Sequence, residues 1–303
     1  MSEHYPRIRI QAESGQLLIR EGLSITFYMR HSHAEVAPGV MRSLETYRRA
    51  VEPHALGVYA DEDGYWQELD ETGWGCIQDK LLDPLWASVH LADAVTSENR
   101  YRFEYLGKVL DAPALASKPG AVSAVSFWLP TEYLEANGPG WVRELALELA
   151  APLPFCSGHA GLSFNCETDL LGVGRELREL CFRYPGMDIP HPSLHSLHIG
   201  TRIQGASWLT FLGQPVLGEL GGPVGLRSRL RSPDTTVQEM EGSRAVVTLG
   251  PWPEAGDTEQ GQVLPAYREL ARVLEPWLYP RTPSRRLDFS PEDMLRWERR
   301  FLD

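Results

Sequence analysis

The stretch Ala206 to Leu226, ASWLTFLGQPVLGELGGPVGL, carries no charged residue before Glu219. Whatever fold the chain adopts has to bury it. Trp208, Leu209, Phe211 and Leu212 form a short apolar and aromatic run closed by Gly213, the pattern of a strand covered on both faces. Pro215 suits the first turn of a following helix, where its missing N–H costs nothing, and Gly221-Gly222-Pro223 is expected to stop that helix. The glycines match neither a Walker spacing nor G-x-G-x-x-G, so the stretch reads as core architecture and not as a phosphate cradle.

The 303-residue chain as a whole has an ordinary globular composition with a formal charge of −12. A polyanionic backbone is repelled by that charge, which argues against nucleic acid as a direct ligand and in favour of a basic protein. Cys76, Cys156, Cys166 and Cys181 are scattered, with no C-x-x-C pair for a zinc knuckle or dithiol site. MSEHYPRIRI has no apolar signal region, and no stretch approaches the roughly 18 apolar residues of a membrane span. A cytoplasmic location is expected, with no cofactor.

Taken in order, Arg7 to Ile10 and Leu17 to Arg20 read as a hairpin and Ser24 to Met29 as a third strand. His31 and His33 fall in a loop, on one side of an extended segment, before a helix opened by Pro38 and ended by Pro53. Ala55 to Ala60 and Tyr65 to Leu69 form a hairpin around the DEDG turn. Trp74 to Leu82 and Leu85 to Val95 read as two helical pieces broken at Pro84, ahead of a strand at Tyr101 to Tyr105. Beyond Cys166, a helix is expected around Leu170 to Phe182, a hairpin across Gly242-Ser243, and a helix opened by Pro265 and kinked at Pro276. Ser290-Pro291-Glu292-Asp293 marks the start of a last helix.

The linker Asp111 to Gly120, DAPALASKPG, offers a sub-division of what otherwise reads as a single domain over residues 1–303. After it, strand, helix and strand recur at Val122 to Leu129, Trp141 to Leu149 and Ala160 to Phe164, about 100 residues beyond similar elements, as an internal duplication would produce. The expected class is α+β, with a mixed or antiparallel sheet and packed helices.

Chemistry-bearing clusters are few. His191, His195 and His198 lie near Asp188 and suggest a divalent metal, the basis of one alternative reading as a metal-dependent enzyme. Pro190 and Pro192 spoil a regular helical face for them, and no H-E-x-x-H accompanies them. Ser157-Gly158-His159-Ala160-Gly161 has its glycines in the wrong frame for a nucleophile elbow, and Cys156 reads as a packed thiol. Lys80, Lys108 and Lys118 have no acid two residues before them, so the metal-nuclease pattern is missing. The chain is expected not to be an enzyme and to hold no metal.

The segment Asp61 to Asp79, DEDGYWQELDETGWGCIQD, stands out. It holds seven carboxylates and no cation, with Tyr65, Trp66 and Trp74 interspersed. Solvated acidic turns are common, yet aromatic anchors ringed by one sign of charge also characterise protein interfaces. Asp61, Glu62, Asp63, Glu68, Asp70 and Glu71, with Trp66 as anchor, are therefore the candidate partner-binding residues. An acidic module for some other basic protein is the second alternative.

The runs VSFWLPTEYL (Val125 to Leu134), LPFCSGHAGL (Leu153 to Leu162), Trp208 to Gly222, VTLG (Val247 to Gly250), YRELA (Tyr267 to Ala271) and RWERRFLD (Arg296 to Asp303) resemble a bacterial family once catalogued as a domain of unknown function. Its members are described as type VI secretion immunity proteins against VRR-type nuclease toxins. The resemblance spans most of the chain, best from about Ser123 onward, and its motifs are structural. It implies a non-enzymatic protein that neutralises a cognate nuclease effector, and the acidic charge agrees with occlusion of that effector's DNA-binding cleft.

Overall fold

The computed structural model describes residues 4–52, 55–94, 98–170, 172–280 and 289–303. In its first half the chain forms β1 (Arg9–Gln11), β2 (Leu17–Met29), α1 (His33–Ala50), β3 (Val58–Ala60), β4 (Trp66–Glu68), α2 (Glu71–Leu82), β5 (Ala87–Ala92) and β6 (Arg102–Gly107). There follow β7 (Ser123–Pro130), α3 (Thr131–Ala150), β8 (Ser157–Cys166), α4 (Val173–Arg183) and α5 (Pro192–His195). The last part holds β9 (Leu209–Leu212), α6 (Val216–Glu219), α7 (Gly222–Arg229), β10 (Thr235–Met240), β11 (Arg244–Leu249), α8 (Pro265–Leu274) and α9 (Pro291–Glu298). Helices and antiparallel strand pairs mix along the chain, as an α+β protein requires.

The chain divides into two compact units, one of residues 1–24, 159–190 and 202–303, the other of residues 25–158 and 191–201. The long strands β2 and β8 contribute residues to both. The segment 111–120 lies inside the second unit.

In the first unit the strands run in the order β10-β11-β9-β8-β2, with β1 beside β2. Trp208 and all of β9 are buried, as the apolar run demands, and the Trp208 indole N–H donates to the Gly250 carbonyl at 3.2 Å. Helix α6 ends at Glu219 as expected, but Gly221-Gly222-Pro223 also opens a second helix, because Pro223 fits a first turn as well as it ends the helix before it. The expected turn between Arg20 and Ser24 does not form. Glu21 sits there fully buried, accepting from the Ile8 N–H at 2.8 Å, from Arg7 at 3.3 Å and from Arg9, so β2 runs unbroken for 13 residues. A charge that reads as a strand end is instead neutralised in place. The β10–β11 hairpin, the helix opened by Pro265 and the Ser290 cap of α9 all form as expected.

In the second unit β2, β7, β6, β5, β3 and β4 neighbour one another in that order, which leaves β4 at an edge. Helices α1 and α3 pack on each other and on β7. Facing side chains of β2 and β7 meet at Thr26 and Ser126, whose hydroxyls lie 2.8 Å apart. Helix α1 starts earlier than Pro38: Ser32 and Glu35 form a capping box, so the helix opens at His33 and carries Pro38 inside it. Pro53 lies outside the described residues. Helix α3 is broken at Gly138, whose φ of 81° only glycine adopts readily.

The segment read as a helix from Leu85 to Val95 is the strand β5, with Val95 outside the described residues. Leu85, Val89 and Ala92 match helical spacing, but Ala87, Val89 and Leu91 alternate with half-buried Ser88 and His90. Pairing with β3 and β6 on either side selects the period of two.

Candidate partner-binding surface

Strands β3 and β4 form a short antiparallel hairpin, Val58 opposite Glu68 and Ala60 opposite Trp66, at the outer edge of the second unit's strands. Asp61 organises the turn between them. One carboxylate oxygen accepts from the Asp63 and Tyr65 N–H groups at 3.1 and 2.9 Å, and the other accepts from the Gln67 amide at 2.8 Å. The Gln67 bond, with help from those backbone donors, holds the Asp61 carboxyl below the usual carboxylate range. Gly64, at φ 85°, closes the turn in a conformation that side chains disfavour.

Asp70 serves helix α2 in the same local way, accepting from the Gly73 N–H at 2.8 Å as its N-cap. Glu62, Asp63, Glu68 and Glu71 are exposed, and Trp66 is half-buried. Trp74 is engaged elsewhere, with the Arg48 guanidinium 3.6 Å from its ring centre. The seven predicted residues thus share one hairpin and the start of one helix.

The neighbouring residues 83–86, expected as a break at Pro84 followed by a helix, form the loop between α2 and β5. Asp83, Leu85 and Trp86 are exposed there, and Leu82 is exposed at the end of α2. Trp86 and Asp83 line a cleft of about 530 Å³ together with Asp61, Glu62, Lys80 and His90. Lys80, which follows the cation-free run, donates to the Ala60 carbonyl at 3.2 Å. Burial lowers the His90 pKa, which keeps its ring neutral near pH 7. The cleft therefore presents three carboxylates against one ammonium. Asp83-Pro84 between two apolar residues was the available signal for the end of α2, because the residue before a proline avoids helix; it does not tell a helix from a strand beyond Pro84.

The sequence from residue 39 to residue 301 matches the family model "Type VI immunity for VRR-NUC". The chain belongs to that family of type VI immunity proteins. Its fold is similar to that of a Pseudomonas aeruginosa T6SS protein, PA0821, with a TM-score of 0.78 at 20% identity, covering 97% of this chain and 87% of that one. No curated protein matches the sequence.

His191 and His195 of this immunity-family chain each bond a neighbouring hydroxyl. His191 bonds the Ser193 hydroxyl at 3.1 Å, His195 bonds the Tyr28 hydroxyl at 3.3 Å, and their ring centres stand 6.2 Å apart, while His198 is exposed. Asp188 belongs to the first unit, where it meets Gln204 and lies 3.4 Å from His159. Among the described residues no group of three or more His, Cys, Asp or Glu side chains is arranged to hold a metal ion. His31 and His33 do not share a side: His31 is 3.3 Å from Glu35, whereas His33 is buried and 2.7 Å from the Tyr105 hydroxyl. Helix α1 opens between them and rotates one away from the other. Cys156 is buried, and burial pushes its thiol up. No helix among the described residues is long and apolar enough to cross a membrane.

Proposed function

We propose that this chain neutralises a VRR-type nuclease effector by binding it in the cytoplasm and covering its DNA-binding cleft, acting by occupancy and not by chemistry. Membership of the immunity family over residues 39–301 carries the reading. A cleft that binds a polyanion has to be cationic, and a chain of charge −12 with an acidic edge hairpin complements it. Asp61, Glu62, Asp63, Glu68, Asp70 and Glu71 supply the charge, and Trp66 the apolar contact.

Within that set the roles divide. Asp61 and Asp70 hold the turn and the helix start in shape, so their charges are fixed in position. Glu62, Asp63, Glu68 and Glu71 remain exposed for a partner. Covering the short edge strand β4 also suits a protein partner, since an unpaired strand edge offers backbone donors and acceptors.

The test is co-expression with a candidate cognate VRR-type nuclease effector, paired with a DNA-cleavage assay on the purified proteins. Protection of the cells and stoichiometric inhibition are expected. A chain that neither binds the nuclease nor slows cleavage would end the reading.

A further inference from the structure

We propose that the cleft beside Trp86 receives an arginine side chain from the nuclease surface, with the exposed residues around it forming the apolar centre of the interface. The proposal rests on the reading of the chain as a nuclease inhibitor and names the partner's contacting group. Tyr65, Leu82, Leu85 and Trp86 are 69%, 66%, 65% and 65% exposed. They fall on the β3–β4 hairpin, the end of α2 and the α2–β5 loop of a single unit, and large side chains left this open mark a binding face when they cluster.

Charge selects the occupant. The cleft of about 530 Å³ places Trp86 alongside Asp61, Glu62 and Asp83. The two wall elements are held locally: Asp61 is tied to the turn by three donors, and Asp83 accepts from the Leu85 N–H at 2.8 Å. Lys80 donates to the Ala60 carbonyl, another lining residue. An incoming cation therefore meets net negative charge and an open indole face. Arginine fits both better than lysine does, because its planar guanidinium stacks on tryptophan while its edge donates to carboxylates.

A second copy of this chain is a poor occupant. A two-fold contact through this face would set Asp61, Glu62 and Asp83 of one copy against the same residues of the other. A nucleic-acid strand is repelled by the same charges. A cationic protein surface with apolar neighbours satisfies the indole, the leucines and the carboxylates together.

Two measurements decide it. In surface plasmon resonance on the immobilised nuclease, Trp86→Ala should raise the dissociation rate roughly 30-fold, the scale of an interface hot spot, and leave the association rate within about twofold. Circular dichroism melting first verifies that this variant is folded. In NMR, the Trp86 indole N–H signal, assigned by its loss in Trp86→Phe, should shift on titration with Nα-acetyl-arginine amide and stay put with the neutral citrulline amide. If the wild-type chain binds the nuclease but Trp86→Ala dissociates at the wild-type rate, the proposal is wrong and the inhibitor reading stands. Equal shifts with the arginine and citrulline amides would also overturn it. Absence of any binding by the wild type removes both.

Discussion

The Arg48 guanidinium on α1 lies 3.6 Å from the centre of the Trp74 ring on α2, so this tryptophan ties two helices together. It does not stand free among the acidic residues that surround it in sequence. A cation–π contact of this kind, partly open to solvent, contributes about 1 kcal/mol. Arg48→Ala should lower the unfolding free energy by that amount in urea titration. In a double-mutant cycle with Trp74→Ala, most of the loss should be shared between the two residues; additive losses would show that the pair does not interact.

Asp70 is distinguished from its acidic neighbours by its bond to the Gly73 N–H. Removing an N-cap carboxylate costs about 1 kcal/mol, so Asp70→Ala should destabilise the protein by that much and Asp70→Asn or Asp70→Ser by less. Glu62→Ala and Glu71→Ala, exposed and outside any cap, should stay within about 0.5 kcal/mol of wild type. Urea midpoints for the set check the division between carboxylates that shape the surface and carboxylates that present it.

Much of this fold was legible because local signals agreed with tertiary need. The Trp208 to Leu212 run, the β3–β4 and β10–β11 hairpins, Pro265 and the Ser290 cap all announce elements that form. Misreadings arose where long-range partners decide. Glu21 ends a strand on paper, but Arg7 and Arg9 reach it from a neighbouring segment. Leu85 to Ala92 fits two periodicities, and only β3 and β6 select the strand. The acidic hairpin was visible as composition, whereas the cleft beside it needs Trp86 and Asp83 brought next to Asp61 by the β3–β5 pairing.

Trp208 tests the buried stretch that dominates the sequence. Its side chain is 1% exposed and its indole N–H is satisfied by Gly250. Trp208→Ala should cost roughly 3 to 5 kcal/mol, the range for truncating a large buried aromatic. Calorimetric melting measures it directly. A variant with an unchanged melting temperature and lost protection would mean that Trp208 acts at a surface and not in the core.

Asp293 gives a pH signature. Arg178 donates to it at 2.8 and 2.9 Å, and this pairing, before the Ser290 bonds, pulls its pKa from 3.8 to about 2. A carboxylate whose folded pKa lies below its unfolded value stabilises the protein above the unfolded value and loses that contribution as pH falls. The contribution should be complete above about pH 4 and fade toward pH 2. Arg178→Gln should therefore separate from wild type in denaturation midpoint at neutral pH by an amount that shrinks between pH 4 and pH 2. A difference constant across that window would assign the effect to packing.

The acidic hairpin itself makes the last prediction, because charge and apolar contact act on different rate constants. Long-range attraction accelerates encounter and is screened by salt over about 8 Å at physiological ionic strength. Short-range burial governs how long the complex lasts. Glu62, Asp63 and Glu68 are exposed and hold no turn or cap in place, so reversing all three to Lys leaves the hairpin intact while changing its net charge by six. The association rate with the nuclease should fall about tenfold or more at low salt, the scale of steering effects. The deficit should narrow as salt rises, with Trp66→Ala acting instead on dissociation. Stopped-flow mixing across a salt series, on variants with wild-type circular dichroism, reads both constants. An association rate unmoved by the triple reversal at low salt would locate the nuclease on another face of the protein.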